Sequence, residues 1–212
     1  MLTIAIPTLG RPTLARTVYS FLEQLEPGDE VILVADPSGD PNYVRFIHSS
    51  ILSKRLGVHS SVISCGHPGG WGQPQRNAAY RAASQPYVWC LADDDVATPA
   101  AVPQIRKIAA AMTEAGGDQW AIFRVGRATD TPWVWHTQEV RVGNLDADCI
   151  VAPSTVAARW GLGYDGDAVF ARALLAELGP PVFRPELVAV TNPSAEYLER
   201  HYRTLAFAGV AP

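Results

Sequence analysis

The feature that most constrains the fold is the alternation, over the first 115 residues, of short apolar runs with longer segments of helical spacing. That pattern belongs to strand–helix units that stack into a parallel sheet. Residues 2–7 form the first apolar run, and Leu14, Val18, Phe21, Leu22 and Leu25 then recur three and four positions apart, giving a helix with one face to cover it. The same reading predicts strands over 31–35, 60–64 and 87–92, with helices over 42–56 and 75–83. Thr98 followed by Pro99 predicts a helix start, because threonine caps free amides and proline suits a first turn, and that helix runs to about residue 115. Right-handed crossovers place the strand C-termini along one edge, where open α/β sheets hold ligands. The functional site is expected there.

After Gly116-Gly117 the texture changes to a strand over 120–125, a stretch carrying Trp133 and Trp135, and a strand over 149–152. Helices are predicted over 165–178 and 194–208. There is neither an internal repeat nor a low-complexity linker, so residues 1–212 read as one domain, with 1–115 as a binding half completed by 116–212. Its hydrophobic content of 48% supplies a buried core. A net charge of −4, dispersed along the chain, gives no footprint for polyanion binding. No apolar run reaches the roughly 18 to 20 residues of a membrane span, and no leader signature opens the chain, which predicts a cytoplasmic protein without integral membrane association. Cys65, Cys90 and Cys149 are odd in number and never paired as Cys-x-x-Cys, a pattern of buried free thiols.

Asp93-Asp94-Asp95, directly after the apolar run at 87–92, carries the most chemistry. Adjacent carboxylates repel, at about 1.4 kcal/mol for each pH unit by which a pKa is raised. A hard divalent ion, Mn²⁺ or Mg²⁺, relieves that repulsion and keeps positions open for phosphate oxygens. The plainer reading is an acidic turn ahead of the next helix.

At this point the sequence resembles the family-2-type glycosyltransferases of the GT-A fold, whose Asp-x-Asp or Asp-Asp element follows an apolar strand and precedes a proline, as Pro99 does here. Ile4-Ala5-Ile6-Pro7-Thr8 with Arg11 is similar to the family's opening strand and nucleoside loop. Val34-Ala35-Asp36-Pro37-Ser38-Gly39-Asp40 is similar to its second-strand ending, usually Val-Asp-Asp-Gly-Ser-x-Asp, which implies that Asp36 accepts from the base. Gly69-Gly70-Trp71-Gly72 leading to Gln75-Arg76-Asn77 is similar to its Gly-rich loop and Ala-Arg-Asn helix start. The resemblance implies an α/β fold with a mostly parallel central sheet flanked by helices. It also implies a nucleoside-diphosphate sugar donor, UDP-linked by preference, bound by Pro7, Thr8, Arg11, Asp36, Gly70, Arg76, Asp93 and Asp94. For Arg76 an internal ion pair with Asp36 or the acidic cluster is the competing role. Asp94 and Asp95 are the implied metal ligands, with His201 near the C-terminus as a third; spacing does not divide the roles of Asp93, Asp94 and Asp95.

Tyr164-Asp165-Gly166-Asp167 is similar to the family segment in which an acidic residue opens a helix beneath the acceptor, with Gly166 replacing the first acid of the usual Glu-Asp pair. An inverting transfer needs a carboxylate opposite the leaving group to take the acceptor's proton, and Asp167 is the candidate, with Asp165 in reserve. A helix cap is the alternative for either. His136 is a further histidine of interest, and Trp133, Trp135 and Trp160 are candidates for a stacking platform. The reading is a metal-dependent, inverting glycosyltransferase acting on a hydroxyl of a glycan, lipid carrier, protein or modified nucleobase. The rivals are a nucleotidyltransferase, disfavoured by the glycine-poor loop after the first strand, and a non-catalytic sugar-nucleotide- or glycan-binding module.

Overall fold

A computed structural model describes residues 1–132 and 137–202. Its strands are β1 (Thr3–Thr8), β2 (Glu30–Ala35), β3 (His59–Ser64), β4 (Tyr87–Cys90), β5 (Val96–Ala97), β6 (Ala121–Arg127), β7 (Ile150–Pro153) and β8 (Val182–Thr191). Its helices are α1 (Thr13–Leu22), α2 (Pro41–Ser50), α3 (Gln73–Ala82), α4 (Ala101–Glu114), α5 (Gly166–Leu178) and α6 (Ala195–His201). The strands form one sheet in the order β3-β2-β1-β4-β7-β6-β8-β5. β1 pairs in parallel with β2 and β4, β2 with β3, and β6 with β8, whereas β7 runs antiparallel to both its neighbours and β5 antiparallel to β8. The expected mostly parallel α/β sheet is present. Every residue of β1 and β2 is buried, as a sheet covered on both faces requires. One apolar cluster runs without a break from Leu2 to Ala189, so the second half of the chain extends the same sheet and core.

Several boundaries differ from the sequence expectations. α2 is capped by the Asp40 side chain, which accepts from the Asn42 and Tyr43 amides, but it ends at Ser50 and gives way to a 3-10 turn at Leu52–Lys54 instead of reaching residue 56. Thr98 does not cap a helix: its hydroxyl donates to the Leu187 carbonyl at 2.7 Å and its amide to Val188, which prolongs the edge pairing of β5, and α4 starts at Ala101. β8 is an additional strand, hidden in the sequence by Arg184-Pro185-Glu186, where the register against β6 shifts. The predicted helix over 194–208 is described only as α6, capped by the Ser194 hydroxyl. Cys90 and Cys149 are buried free thiols, while Cys65 is only half-buried. No helix among the described residues is long and apolar enough to cross a membrane.

Five residues, 91–95, join β4 to β5 although β7, β6 and β8 lie between those strands in the sheet. This segment crosses the ends of the intervening strands: the Ala92 amide donates to Asp148 just before β7, and the Asn192 amide just after β8 donates to Asp95. The topology thereby gathers acids from distant parts of the sequence.

Candidate active site

A cavity of about 370 Å³ opens at the C-terminal ends of β1 and β2. Pro7, Thr8, Arg11, Asp36, Arg76, Asp93 and Asp94 all line it. Gly70, the remaining expected donor residue, faces a different cavity of about 610 Å³ beside Cys65, His67 and Arg81, while Gly69 and Gly72 line the first. Gly72 has φ 79°, and a Cβ there would lie 3.0 Å from the Arg76 guanidinium and 3.3 Å from Pro7, so glycine permits both the turn and the close approach.

Asp36 is buried at the end of β2, and each of its oxygens serves two donors: the Ser38 amide and hydroxyl on Oδ1, the Gly69 amide and Gln75 side chain on Oδ2. Burial opposes its charge, but these hydrogen bonds outweigh burial and hold its pKa below the usual aspartate value. With its acceptor positions filled from within, Asp36 ties the Gly-rich loop and α3 to β2.

The three consecutive acids point to three surroundings. Asp93 accepts from the Thr8 hydroxyl at 2.7 Å, the Leu9 amide at 3.0 Å and Arg11 at 3.4 Å, so it braces the loop after β1. Burial raises its pKa, against the pull of Thr8 and Arg11. Asp94 stands at the cavity rim, with one oxygen bound to Arg11 at 2.8 Å and its carbonyl held by Arg16. Asp95 turns into a second, adjoining cavity of about 170 Å³, its carbonyl fixed by Thr17 and its Oδ1 by the Asn192 amide.

Asp95, Asp146, Asp148 and Asp167 converge on this second cavity. Burial, then the neighbouring charges of Asp146 and Asp94, raise Asp95 to about 7. Asp148 is fully buried, with one oxygen accepting from Ala92; burial and the charges of Asp95 and Asp146 push its pKa well up, and it stands close enough to Asp95 to share a proton. With both ionised, its Oδ2 has no donor. Asp146 is also raised, mainly by burial. Asp167, in the first turn of α5, is raised to about 6 by burial against the opposing pull of Arg76, and accepts from Gln73 and the Ala147 amide. Asp146 and Asp148 escaped the sequence reading, yet the signal was present: Asp146-Ala147-Asp148 is itself an Asp-x-Asp directly before a strand.

Arg76 lines both cavities. Its Nη1 donates to the Trp71 carbonyl at 2.8 Å, its guanidinium lies 5.2 Å over the Trp160 ring, and among the described residues no carboxylate comes within ion-pair distance. The competing internal ion pair is therefore not formed, leaving a buried cation oriented by an aromatic face. Trp160 in turn stacks on Phe170 at 4.2 Å, and Asn77 clamps its backbone with two hydrogen bonds. Trp160 is thus 3% exposed and supports Arg76 instead of offering a stacking platform. Gly166 explains the missing first acid of the Glu-Asp pair, since a Cβ there would lie 2.3 Å from the Gln73 side chain.

Asp165 is exposed at the start of α5 and makes no side-chain cap. His201 packs against Tyr197 with ring centroids 4.6 Å apart and the rings tilted at 40°, and is not gathered with Asp94 and Asp95; among the described residues no set of three or more His, Cys, Asp or Glu side chains is arranged to hold a metal ion. Trp133, Trp135 and His136 lie outside the described residues.

Comparison with known proteins bears on the fold and the family. None of the curated proteins matches the chain significantly. Among solved structures, TarS of S. aureus superposes over 97% of this chain with a TM-score of 0.64 at 12% identity. A TarS fragment in complex with UDP-GlcNAc gives a TM-score of 0.65 at 13% identity over 95% of this chain. A mannosyltransferase of Pyrobaculum calidifontis, in complex with GDP-Man and Mn²⁺, gives 0.60 at 17% identity over the whole chain. The chain spans 39% of TarS, 61% of its fragment and 65% of the mannosyltransferase. These likenesses show the GT-A fold. The model of glycosyl transferase family 2 matches residues 3–143, two thirds of the chain and every loop that lines the first cavity, and the chain belongs to that family.

Proposed function

We propose that this chain, acting as one domain, transfers a sugar from a nucleoside-diphosphate donor, UDP-linked by preference, to an acceptor hydroxyl with inversion. The observation that carries it is the adjacency of two cavities sharing Arg76: one flanked by Arg11 and Arg76, the other holding Asp167. Arg11 and Arg76 meet the diphosphate, the glycine loop lets backbone approach it, and α3 and the Thr8 loop border the nucleoside. The complexes of structural neighbours with UDP-GlcNAc and GDP-Man support a sugar-nucleotide donor.

Asp94 keeps one carboxylate oxygen without a hydrogen bond at the cavity rim, and Asp95 follows it at the boundary of the second cavity. Such hard oxygen donors fit Mn²⁺ or Mg²⁺, which take one or two carboxylates and leave positions for phosphate and water. When bound, the ion supplies neutralisation of the departing diphosphate.

In the transfer the acceptor oxygen bonds to the anomeric carbon as the carbon–oxygen bond to the diphosphate breaks and its electron pair leaves with the diphosphate. The acceptor's proton passes to Asp167, ionised at neutral pH yet basic enough to take it because burial has raised its pKa to about 6. Arg76, pinned over Trp160, stabilises the charge gathering on the leaving group. Incubation with UDP-glucose, UDP-GlcNAc or GDP-mannose, Mn²⁺ and a mixed glycan pool tests the reading. Sugar-bearing products with nucleoside diphosphate released are expected; release of sugar 1-phosphate, the mark of nucleotidyl transfer, or tight donor binding without turnover, overturns it.

A further inference from the structure

A third cavity of about 210 Å³ continues the tract beyond the acidic one, sharing Asp146, Tyr164 and Asp167 with it. The three spaces therefore lie in series. Trp71 stands between the first and second, Tyr164 and Asp167 between the second and third. Trp71 and Tyr164 are 72% and 81% exposed, and their rings meet edge to face at 5.8 Å. Trp71 holds this place at a backbone cost: φ 56° is a left-handed conformation that a bulky residue adopts only where the surroundings impose it, here three positive-φ glycines and the Arg76 bond to its carbonyl.

Resting on the glycosyl-transfer reading, we propose that the third cavity is the acceptor subsite and that it takes an uncharged saccharide ring laid against Tyr164. If the diphosphate lies in the first cavity, the transferred sugar falls in the second, and an acceptor hydroxyl reaches Asp167 from the space on that residue's other side. The lining chooses the acceptor's chemistry. Asp146, Asp165 and Asp167 face the cavity against one cation, Arg141, which is itself paired with Glu139 at 3.2 Å. That excess of carboxylates accepts hydrogen bonds from a polyol but repels phosphate, which disfavours polyprenyl phosphates and nucleic acid. The aromatic wall fits the apolar C–H face of a pyranose, whose hydroxyls project from the rim.

The test is ligand-observed NMR on the full chain with saturating UDP and Mn²⁺. The probes are methyl glycosides of glucose, mannose, galactose and N-acetylglucosamine, a short polyprenyl phosphate and a DNA duplex. At least one neutral glycoside binds, with the strongest saturation on ring C–H protons of one face. Tyr164→Ala weakens that binding about tenfold, Tyr164→Phe restores most of it, and the affinity for UDP is the same in all three proteins. Both substitutions are at an exposed ring, so folding is retained. Binding of no neutral glycoside, preference for the phosphate or the duplex, or glycoside binding indifferent to Tyr164 overturns the proposal while leaving the donor site intact. Failure of UDP and GDP to bind the wild-type chain overturns the glycosyl-transfer reading and the subsite with it.

Discussion

Replacing Asp95 by asparagine is expected to stabilise the ligand-free protein while impairing function, because the acidic chamber is held together against its own repulsion. Asp95 has a folded-state pKa of about 7 against an ordinary value of 3.8, from burial and the neighbouring carboxylates. The folded state thus binds this proton more tightly than the unfolded chain does. The group costs nothing below about pH 4, and its destabilising effect grows as pH rises through 7, then levels off. The gap corresponds to about 4 kcal/mol at pH 8, at about 1.4 kcal/mol per pH unit. About half of that is expected on substitution, since Asp146 and Asp148 share the protons of the chamber with Asp95 and the cost of charging it is not carried by Asp95 alone. Asparagine keeps an oxygen for the Asn192 amide and gains a donor for the Oδ2 of Asp148 that otherwise lacks one. Melting temperature measured from pH 4 to pH 8 without metal or nucleotide should show no difference from wild type at the acid end and a gain of about 4 to 8 °C at pH 8. A variant less stable than wild type at pH 8, or a difference independent of pH, would refute the electrostatic account.

Asp167→Asn is expected to lower kcat by about 10² to 10⁴ while leaving the donor Kd within about twofold, read by steady-state kinetics and calorimetry. In the wild type the rate should fall as pH drops through about 6, where Asp167 takes up its proton, and that limb should be missing from the pH profile of the variant. Asp94→Ala should abolish the dependence of donor affinity on Mn²⁺, measured by calorimetry with and without the ion. Asn77→Ala removes both hydrogen bonds to the Trp160 backbone and should destabilise the fold by about 1 to 3 kcal/mol in urea titration, with the Arg76-dependent donor affinity falling in parallel.

Strands β1, β2 and β4 and the covering helix α1 were legible because each is a local apolar pattern: the runs around Ile4, Val31 and Val88 are buried throughout, and Val18 and Phe21 fall on the inward face of α1. The lining of the first cavity was legible for the same reason, since Pro7, Thr8, Arg11, Asp36, Arg76 and Asp93 sit at strand ends or helix starts whose positions that pattern dictates. β8 was not, because Pro185 and its charged neighbours break the alternation that marks a strand, and pairing with β6 overrides it.

What the sequence by itself determined is a parallel α/β frame with acids at the end of its fourth strand, a consequence of periodicity and local chemistry. Only the tertiary structure decided how those acids divide: Asp93 to the β1 loop, Asp94 to the rim, Asp95 into a chamber with Asp146, Asp148 and Asp167. The physical reason is that antiparallel β7 and helix α5 bring carboxylates some 50 to 75 residues away in sequence against one five-residue crossing, and contacts at that separation leave no periodic trace in the chain.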